Sequence, residues 1–166
     1  KTEAGGRTSL YDAVYIALDQ LNRTPPPADN AARRQAIVLL SDGEDTSSHK
    51  EYDEVTDLSK RSDVIVFSIG LRARDESSQS GWNEAEFVLR TLTQETGGRA
   101  FFVSDIAQLP AIYGQIADEL SNQYTLGYRS KNQRHDGLWR RVSVQIPHGG
   151  AVALTKSGYF APSRDR

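Results

Sequence analysis

The feature that most constrains the fold is a regular alternation of short apolar runs with segments of helical periodicity. Three short, mostly apolar segments occur, at 36–41, 63–71 and 99–104. Segments of this length with few polar residues are typical of strands that are buried on both faces of a parallel sheet. The segments that flank them place apolar residues three and four positions apart, at 10–22, 49–61, 83–96 and 105–121. The alternation predicts an α/β domain with a doubly wound, mostly parallel sheet.

Polar and small residues at the ends of these segments predict where the helices begin and end. Thr8 or Ser9 can cap the first helix, because serine and threonine hydroxyls accept the free N–H groups of a first helical turn. Ser48 and Glu51 have the spacing of a capping box before the second helix. Asn83 is predicted to cap the third helix, which should end at the glycine pair 97–98.

The pattern changes after residue 121. Segments 124–130 and 138–146 alternate apolar and polar residues in the manner of strands, with a turn signal at 136–137 between them. A third short run, 151–156, follows a pair of glycines. The chain is therefore predicted to consist of an α/β domain at 1–121 and a C-terminal antiparallel β-hairpin extension at 122–166.

Composition excludes several classes of protein and site. With 37% hydrophobic and 25% charged residues, the 166-residue chain has the composition of a soluble globular domain. The chain contains no cysteine, which excludes disulfides, iron–sulfur clusters, thiolate metal sites and a cysteine nucleophile. The longest run of consecutive apolar residues is only 13–18, whereas a membrane-spanning helix needs about 20 apolar residues.

Charge is distributed unevenly along the chain. The overall net charge is −2, but most acidic residues lie within 1–121, whereas the extension at 122–166, called the tail below, is basic. The basic side chains of the tail are scattered and form neither a helical stripe nor a known nucleic-acid motif. We therefore expect no nucleic-acid partner, and a tail that packs on the acidic domain or forms a solvated hairpin.

A cluster of oxygen-bearing side chains follows the first apolar run. Segment 41–48 reads Ser-Asp-Gly-Glu-Asp-Thr-Ser-Ser, and ligands of open α/β sheets bind beyond the carboxyl ends of the strands. Carboxylate and hydroxyl oxygens are the ligands that Mg²⁺ and Ca²⁺ require, although the spacing differs from that of an EF-hand loop. The alternative is that Asp42 and Gly43 form a turn and the remaining residues cap the next helix.

A glycine-rich segment precedes the first helix. Segment 5–13 reads Gly-Gly-Arg-Thr-Ser-Leu-Tyr-Asp-Ala, but it lacks the lysine and the spacing of a phosphate-binding P-loop. Thr8 is then either a helix cap or a residue of a functional site.

Together, the Gly-Gly-x-Thr segment and the later Ser-Asp-Gly-x-Asp segment make the chain resemble the von Willebrand factor type A (vWA) domain, and its tail resembles a bacterial VWFA-related subgroup. The resemblance implies a Rossmann-like fold and a metal-ion-dependent adhesion site. In that site, Thr8 would offer a hydroxyl and Asp42 a carboxylate to Mg²⁺, Mn²⁺ or Ca²⁺. It also implies a protein ligand that completes the metal shell with a carboxylate, and a secreted or periplasmic location.

One departure from the family pattern bears on metal binding. The Asp-x-Ser-x-Ser motif that begins the family's metal site does not occur in this context, so the domain is expected to be N-terminally incomplete. Thr8 and Asp42 supply two ligands, whereas Mg²⁺ prefers six in near-octahedral geometry. We expect weak cation binding or none.

The incomplete sheet has a further consequence for strand 36–41. Its outer edge would be unpaired and apolar, and such edges promote association with other chains. We expect upstream residues, a second chain or the folded-back tail to cover this edge, which makes self-association through 36–41 one of the alternatives.

Three classes of function remain. The first is a binding or adhesion module with a remnant cation site, and the second is a metal-free structural or assembly domain. The third is a metal-dependent hydrolase that uses Asp42 and Asp45, but no lysine, positioned base or phosphate cradle accompanies them. His49 follows the acidic segment and is expected to be a surface residue at a helix start. We therefore predict a binding module that is not an enzyme.

Overall fold

The computed structural model describes residues 8–25, 34–41, 45–71, 79–147 and 152–163, and it describes no side chains for 79–83. The helices are α1 (Leu10–Arg23), α2 (Tyr52–Arg61), α3 (Gln79–Thr96) and α4 (Leu109–Ser121), with a short 3₁₀ turn (Ile106–Gln108) before α4. The strands are β1 (Ala36–Ser41), β2 (Ile65–Leu71), β3 (Ala100–Val103), β4 (Trp139–Arg141) and β5 (Gly158–Phe160).

The first three strands form a parallel sheet in the order β1-β2-β3. Ile37 lies opposite Val66, and Ile69 lies opposite Phe101. The central strand β2 is buried at five consecutive positions, 66–70, because helices cover both of its faces. The predicted parallel α/β fold is confirmed, and its three strands are the three apolar runs of the sequence.

Two hydrophobic clusters lie on opposite faces of the sheet. On one face, α1, α2 and α3 bury the side chains of Leu18, Val55 and Leu89 against Val66. On the other face, Phe67, Ile69 and Val103 of the sheet meet Ile112 and Ile116 of α4. Each fully buried aliphatic side chain of this kind contributes about 1.5–3 kcal/mol to the free energy of unfolding. This two-faced packing makes the sheet doubly wound.

Strand β1 lies at the end of the strand order and is less covered than β2. Val38 and Leu40, on the face that α4 packs against, are 40% and 45% exposed. The tail strands form a separate two-stranded sheet, so within the described part of the chain the tail does not pair with the outer edge of β1. We predicted that upstream residues, a second chain or the tail would cover that edge. Among the described residues, the tail does not do so.

Two helix starts differ from the prediction. The third helix begins at Gln79, so Asn83 lies inside it instead of capping it. No proline lies between Gln79 and Asn83, and the glycine at 81 disfavours a helix by only about 1 kcal/mol, so the helix can begin one turn before Asn83. The capping box of α2 is formed by Glu51 and Glu54 and not, as predicted, by Ser48 and Glu51. Ser48 instead binds Asp45 and the first turn of α1.

The tail contains antiparallel strands, but they pair differently from the predicted hairpin. Strand β4 pairs with β5, with Arg140 opposite Tyr159, whereas 124–130 and 152–156 form no strand. The ring of Trp139 packs edge-on against that of Phe160 with centroids 4.8 Å apart, and this aromatic contact favours the observed pairing. Alternation marks a segment as strand-like without specifying its partner.

The tail is attached to the α/β domain through the C-terminal ends of α2 and α3. Lys156 Nζ donates to the carbonyl oxygen of Ser62 at 2.6 Å, and the Arg61 guanidinium stacks 4.0 Å from the ring centroid of Phe160. Gly97 ends α3 in the left-handed conformation (φ +81°), as predicted, and a Cβ there would lie 2.6 Å from the main-chain nitrogen of Lys156. Glycine at this position therefore ends the helix and also leaves room for the main chain of the tail.

In the part of the chain that the structure describes, no helix combines the length and apolarity needed to cross a membrane.

Candidate functional site

The candidate site joins the start of α1 to residues 45–50, which follow β1 in the chain. The Thr8 N–H donates to Oγ1 of Thr46 at 2.8 Å. The carbonyl oxygen of Thr8 accepts from the N–H groups of Thr46 at 2.9 Å and Ser47 at 3.2 Å. The main chain of Thr8 is therefore held against the segment that follows β1.

The carboxylate of Asp45 caps α1. Its Oδ2 accepts from the N–H of Tyr11 at 2.9 Å and from the Ser48 hydroxyl at 2.5 Å. Its Oδ1 accepts from the N–H groups of Ser48 and Ser47 at 3.0 and 3.3 Å. Ser9, at the N-cap position, makes no capping bond and instead shares a 2.8 Å hydrogen bond with the Ser47 hydroxyl. The prediction that Thr8 or Ser9 caps this helix is wrong, because a residue distant in sequence takes that role.

These contacts set the ionisation of Asp45. Desolvation raises the pKa of the Asp45 carboxyl, but the hydrogen bonds from Ser48, Tyr11 and Ser47 together outweigh it, and the net effect is a lowered pKa. The positive end of the α1 dipole also favours a carboxylate at this place. Asp45 is therefore ionised at neutral pH.

Asp12, in the first turn of α1, makes the return contact. Its N–H donates to the Ser48 hydroxyl at 3.0 Å, and its carboxylate accepts from the N–H groups of His49 and Lys50 at 3.1 and 2.8 Å. The N–H of His49 and then that of Lys50 are the main causes that lower the pKa of Asp12. The two carboxylates thus bind the helix start and the 45–50 segment reciprocally.

The structure places the other sequence candidates as follows. Thr8 is exposed, and its hydrogen bonds to described residues use its main chain and not its hydroxyl. Asp42 lies outside the described residues, so its predicted proximity to Thr8 stays a prediction. His49 is a surface residue with a side chain 95% exposed, and its Nδ1 lies 3.2 Å from the Asp12 carboxylate.

The described residues do not by themselves form the shell of a divalent cation. No group of three or more histidine and acidic side chains is gathered anywhere in those ranges. Both oxygens of Asp45 already accept two hydrogen bonds each, so a cation would have to displace helix-capping contacts. The Thr8 hydroxyl is the candidate ligand that the described contacts leave available. A cation site here would therefore need ligands beyond the described residues.

Sequence reasoning identified Thr8 but missed the capping role of Asp45 and Asp12. One local signal existed, because an acidic residue in a first helical turn, as Asp12 is, commonly binds nearby N–H groups. No local signal pairs Asp45 with Tyr11, 34 residues earlier in the chain. With Asp45 occupied in capping, the hydrolase alternative loses one of its two proposed carboxylates.

Comparison with known proteins finds a family match and similar solved structures. Residues 1–115 match the von Willebrand factor type A domain family. Among solved structures, the chain is similar to the conserved hypothetical protein BatB from Bacteroides thetaiotaomicron, with 14% identity and a TM-score of 0.48 over 74% of this chain and 63% of that one. It is also similar to an uncharacterized membrane spanning protein from Vibrio fischeri, with 22% identity and a TM-score of 0.42 over 70% of this chain and 59% of that one.

This chain thus spans less than two thirds of either solved chain. No curated protein matches the sequence. The family match covers more than half of the chain, and the parallel sheet flanked by helices agrees with it. The chain therefore belongs to the von Willebrand factor type A domain family, whose members are generally protein-interaction or adhesion modules.

Proposed function

We propose that the chain is a protein-binding module whose cation site is incomplete and is formed in part by Thr8 and Asp42. The observation that carries this proposal is the fixed main chain of Thr8, an exposed residue that is held by Thr46 and Ser47 and whose hydroxyl bonds to no described residue. Family membership supports the protein-binding role. Nothing in the described site supplies a nucleophile, a base in a cleft or a phosphate cradle, so the proposal is non-catalytic.

In this proposal the partner supplies what the chain lacks. Thr8 would hold Mg²⁺, Mn²⁺ or Ca²⁺ through its hydroxyl and Asp42 through its carboxylate. A carboxylate of the protein ligand would complete the shell, since hard cations favour oxygen ligands. Two ligands from the chain bind a cation weakly, so cation and partner are expected to bind together.

Isothermal titration calorimetry with each cation tests this proposal. We expect weak heats with the unchanged chain, which the Thr8→Ala and Asp42→Ala variants abolish. Thr125→Ala and Asp57→Ala are the matched controls, because both side chains are exposed and lie in other parts of the chain. Cation binding that survives both site variants would contradict the proposal.

A second titration examines the incomplete shell. In the family pattern an Asp-x-Ser-x-Ser motif precedes the Gly-Gly-x-Thr segment, so a form of the chain with an N-terminal extension that carries this motif should bind the cation more tightly. Equal affinity with and without that extension would show that no upstream ligand contributes.

The second candidate is a metal-free structural or assembly domain. The observation that favours it is the use of Asp45 and Asp12 as helix-capping groups. Partner binding that is unchanged by a chelator and by Asp42→Ala would select this candidate.

The family resemblance further suggests a secreted or periplasmic protein that is part of a larger exported chain. Cell fractionation with an antibody raised against this chain tests that suggestion, and recovery from the cytosol alone would contradict it.

A further inference from the structure

The tail carries an open cavity of about 450 Å³ that lies away from Thr8 and the 45–50 segment. Its wall is formed by segment 128–132 together with residues of β4 and β5. None of the residues that line it is acidic, whereas four of them are arginine or lysine. The cavity therefore has a strongly positive lining.

Two of the lining residues are tyrosines, which we call the floor of the cavity. The rings of Tyr128 and Tyr159 meet edge to face with centroids 6.4 Å apart. Tyr159 is hydrogen bonded to Ser130 and to Tyr128, and these two bonds lower the pKa of its hydroxyl. Three hydroxyl groups thus converge on one place. That of Ser130 donates to the carbonyl oxygen of Asn132 at 3.1 Å, so a proton for an anionic oxygen would come from the tyrosine pair.

Arg140 fixes the shape of the cavity. Its side chain is only 13% exposed, and its guanidinium donates to the carbonyl oxygens of Asn132 and Arg134. It also lies 3.4 Å from a carboxylate oxygen of Asp136. These bonds hold the segment that follows Lys131 in a defined position, so the cavity is preorganised.

The rim carries the charges that a ligand would meet. Arg129, Lys131 and Arg141 are exposed, and none of them forms an ion pair with any residue that the structure describes. Like charges gathered around one concave surface create a positive potential that attracts anions. The rim is therefore complementary to a ligand with several negative charges.

Apolar side chains continue from the cavity along the preceding segment. Leu126 is 73% exposed and Tyr124 is 90% exposed. Segment 124–130 alternates like a strand, yet it belongs to no sheet of the described residues. An exposed extended segment of this kind can pair with an incoming chain through its main chain. A protein segment with both acidic and apolar side chains matches the whole surface, whereas a small anion matches only the cavity.

We propose that this cavity binds the carboxylate side chains of an acidic protein segment, in a contact that needs no metal ion and is separate from Thr8 and Asp42. The exposed cations of the rim would pair with the carboxylates, and a hydroxyl of the tyrosine pair would donate to them. Segment 124–130 would receive the apolar side chains of the same partner.

Fluorescence anisotropy with a labelled peptide of alternating glutamate and leucine tests the proposal. The matched probe is the same peptide with glutamine in place of glutamate. We expect the glutamate peptide to bind in the presence of EDTA, to weaken as salt is raised, and to bind more tightly than the glutamine peptide. Equal binding of the two peptides would overturn the proposal, and so would loss of binding in EDTA, which would assign the contact to a cation site.

Three variants localise the binding. Arg129→Gln and Arg141→Gln should each weaken the glutamate peptide up to about fivefold, the upper range for one exposed ion pair. Arg23→Gln removes the same charge from α1, where Arg23 pairs with Asp19, and should leave the affinity unchanged. Equal effects of all three variants would show that net charge, and not the cavity, governs binding.

Two further measurements test whether a floor hydroxyl contributes to binding and whether the cavity prefers an acidic peptide to a nucleic acid. Tyr159→Phe removes a floor hydroxyl while keeping the ring, and it should weaken the glutamate peptide without changing the far-ultraviolet circular dichroism spectrum. A labelled oligothymidylate should bind more weakly than the glutamate peptide. Tighter binding of the oligothymidylate would overturn the assignment to an acidic protein segment, in favour of a nucleic acid.

Discussion

Asp45 accepts a 2.9 Å hydrogen bond from the main-chain N–H of Tyr11, and through it the segment after β1 caps the first turn of α1. Asp12 of that turn binds the N–H of Lys50 in return. The two contacts fix the position of Thr8, which lies next to the capped turn and is bound to Thr46. The position of Thr8 therefore depends on the carboxylate of Asp45, whose two oxygens are both engaged in hydrogen bonds.

Asp45→Ala should lower the free energy of unfolding by about 1–2 kcal/mol, because it removes the cap of α1. Urea unfolding followed by circular dichroism measures the change. Asp57→Ala is the matched control, since Asp57 is an exposed residue of α2, and it should have little effect. Equal stability of Asp45→Ala and the unchanged chain would contradict the capping role.

The lowered pKa of Asp45 predicts a pH dependence of stability. A carboxyl whose pKa is lower in the folded state contributes stability above its unfolded pKa of about 3.9 and loses it as pH falls through the folded pKa. Unfolding measured between neutral and acidic pH should show a loss below about pH 4 that is smaller in Asp45→Asn. An identical acid response of the two proteins would show that Asp45 does not contribute to it.

Two glycines should respond in opposite ways to alanine. At Gly98 a Cβ would lie 2.0 Å from the carbonyl oxygen of Val66, so Gly98→Ala should cost about 1–3 kcal/mol as β2 is displaced. Gly114, inside α4, has nothing within 4 Å of such a Cβ. Gly114→Ala should therefore raise the unfolding free energy by about 0.5–1 kcal/mol. Thermal unfolding of both variants measures the difference, and a shift of the same sign in both would contradict it.

Self-association through β1 is one of the coverings that remain for the outer edge of this strand, whose apolar residues Val38 and Leu40 are about half exposed. Leu40→Lys should reduce association, because lysine on an edge strand disfavours pairing with another chain. Sedimentation velocity over a range of concentrations measures the effect. Ile16→Lys is the control, since Ile16 is an exposed apolar residue of α1. An unchanged chain that stays monomeric at every concentration would contradict the expectation.

Arg61→Ala should loosen the tail without unfolding the α/β domain. The Arg61 guanidinium stacks on Phe160, and removing it leaves β5 with fewer contacts to α2. Hydrogen exchange should become faster at Val142, whose N–H donates to the carbonyl oxygen of Ser157, and should stay unchanged at Ile69 in the central strand. Faster exchange at both positions would show that the tail and the α/β domain unfold together.

Some structural features of this chain are caused by residues at the same place in the sequence, and others by residues that are distant in it. The apolar runs predicted all three parallel strands, since a strand covered on both faces must be apolar at nearly every position. Gly97 predicted the end of α3, because glycine readily adopts the left-handed conformation that ends many helices, and it does so here. Such features are local, and the residues that cause them stand where the effect occurs.

The remaining features depend on partners that are distant in sequence. The sequence by itself determined the fold class and the place of Thr8 before the first helix. Only the tertiary structure decided that Asp45 caps that helix and that Trp139 pairs with Phe160 instead of with segment 124–130. Periodicity specifies which face of a segment is buried, but several segments can satisfy the same hydrogen-bond donor or strand edge. Packing of the whole chain selects among them.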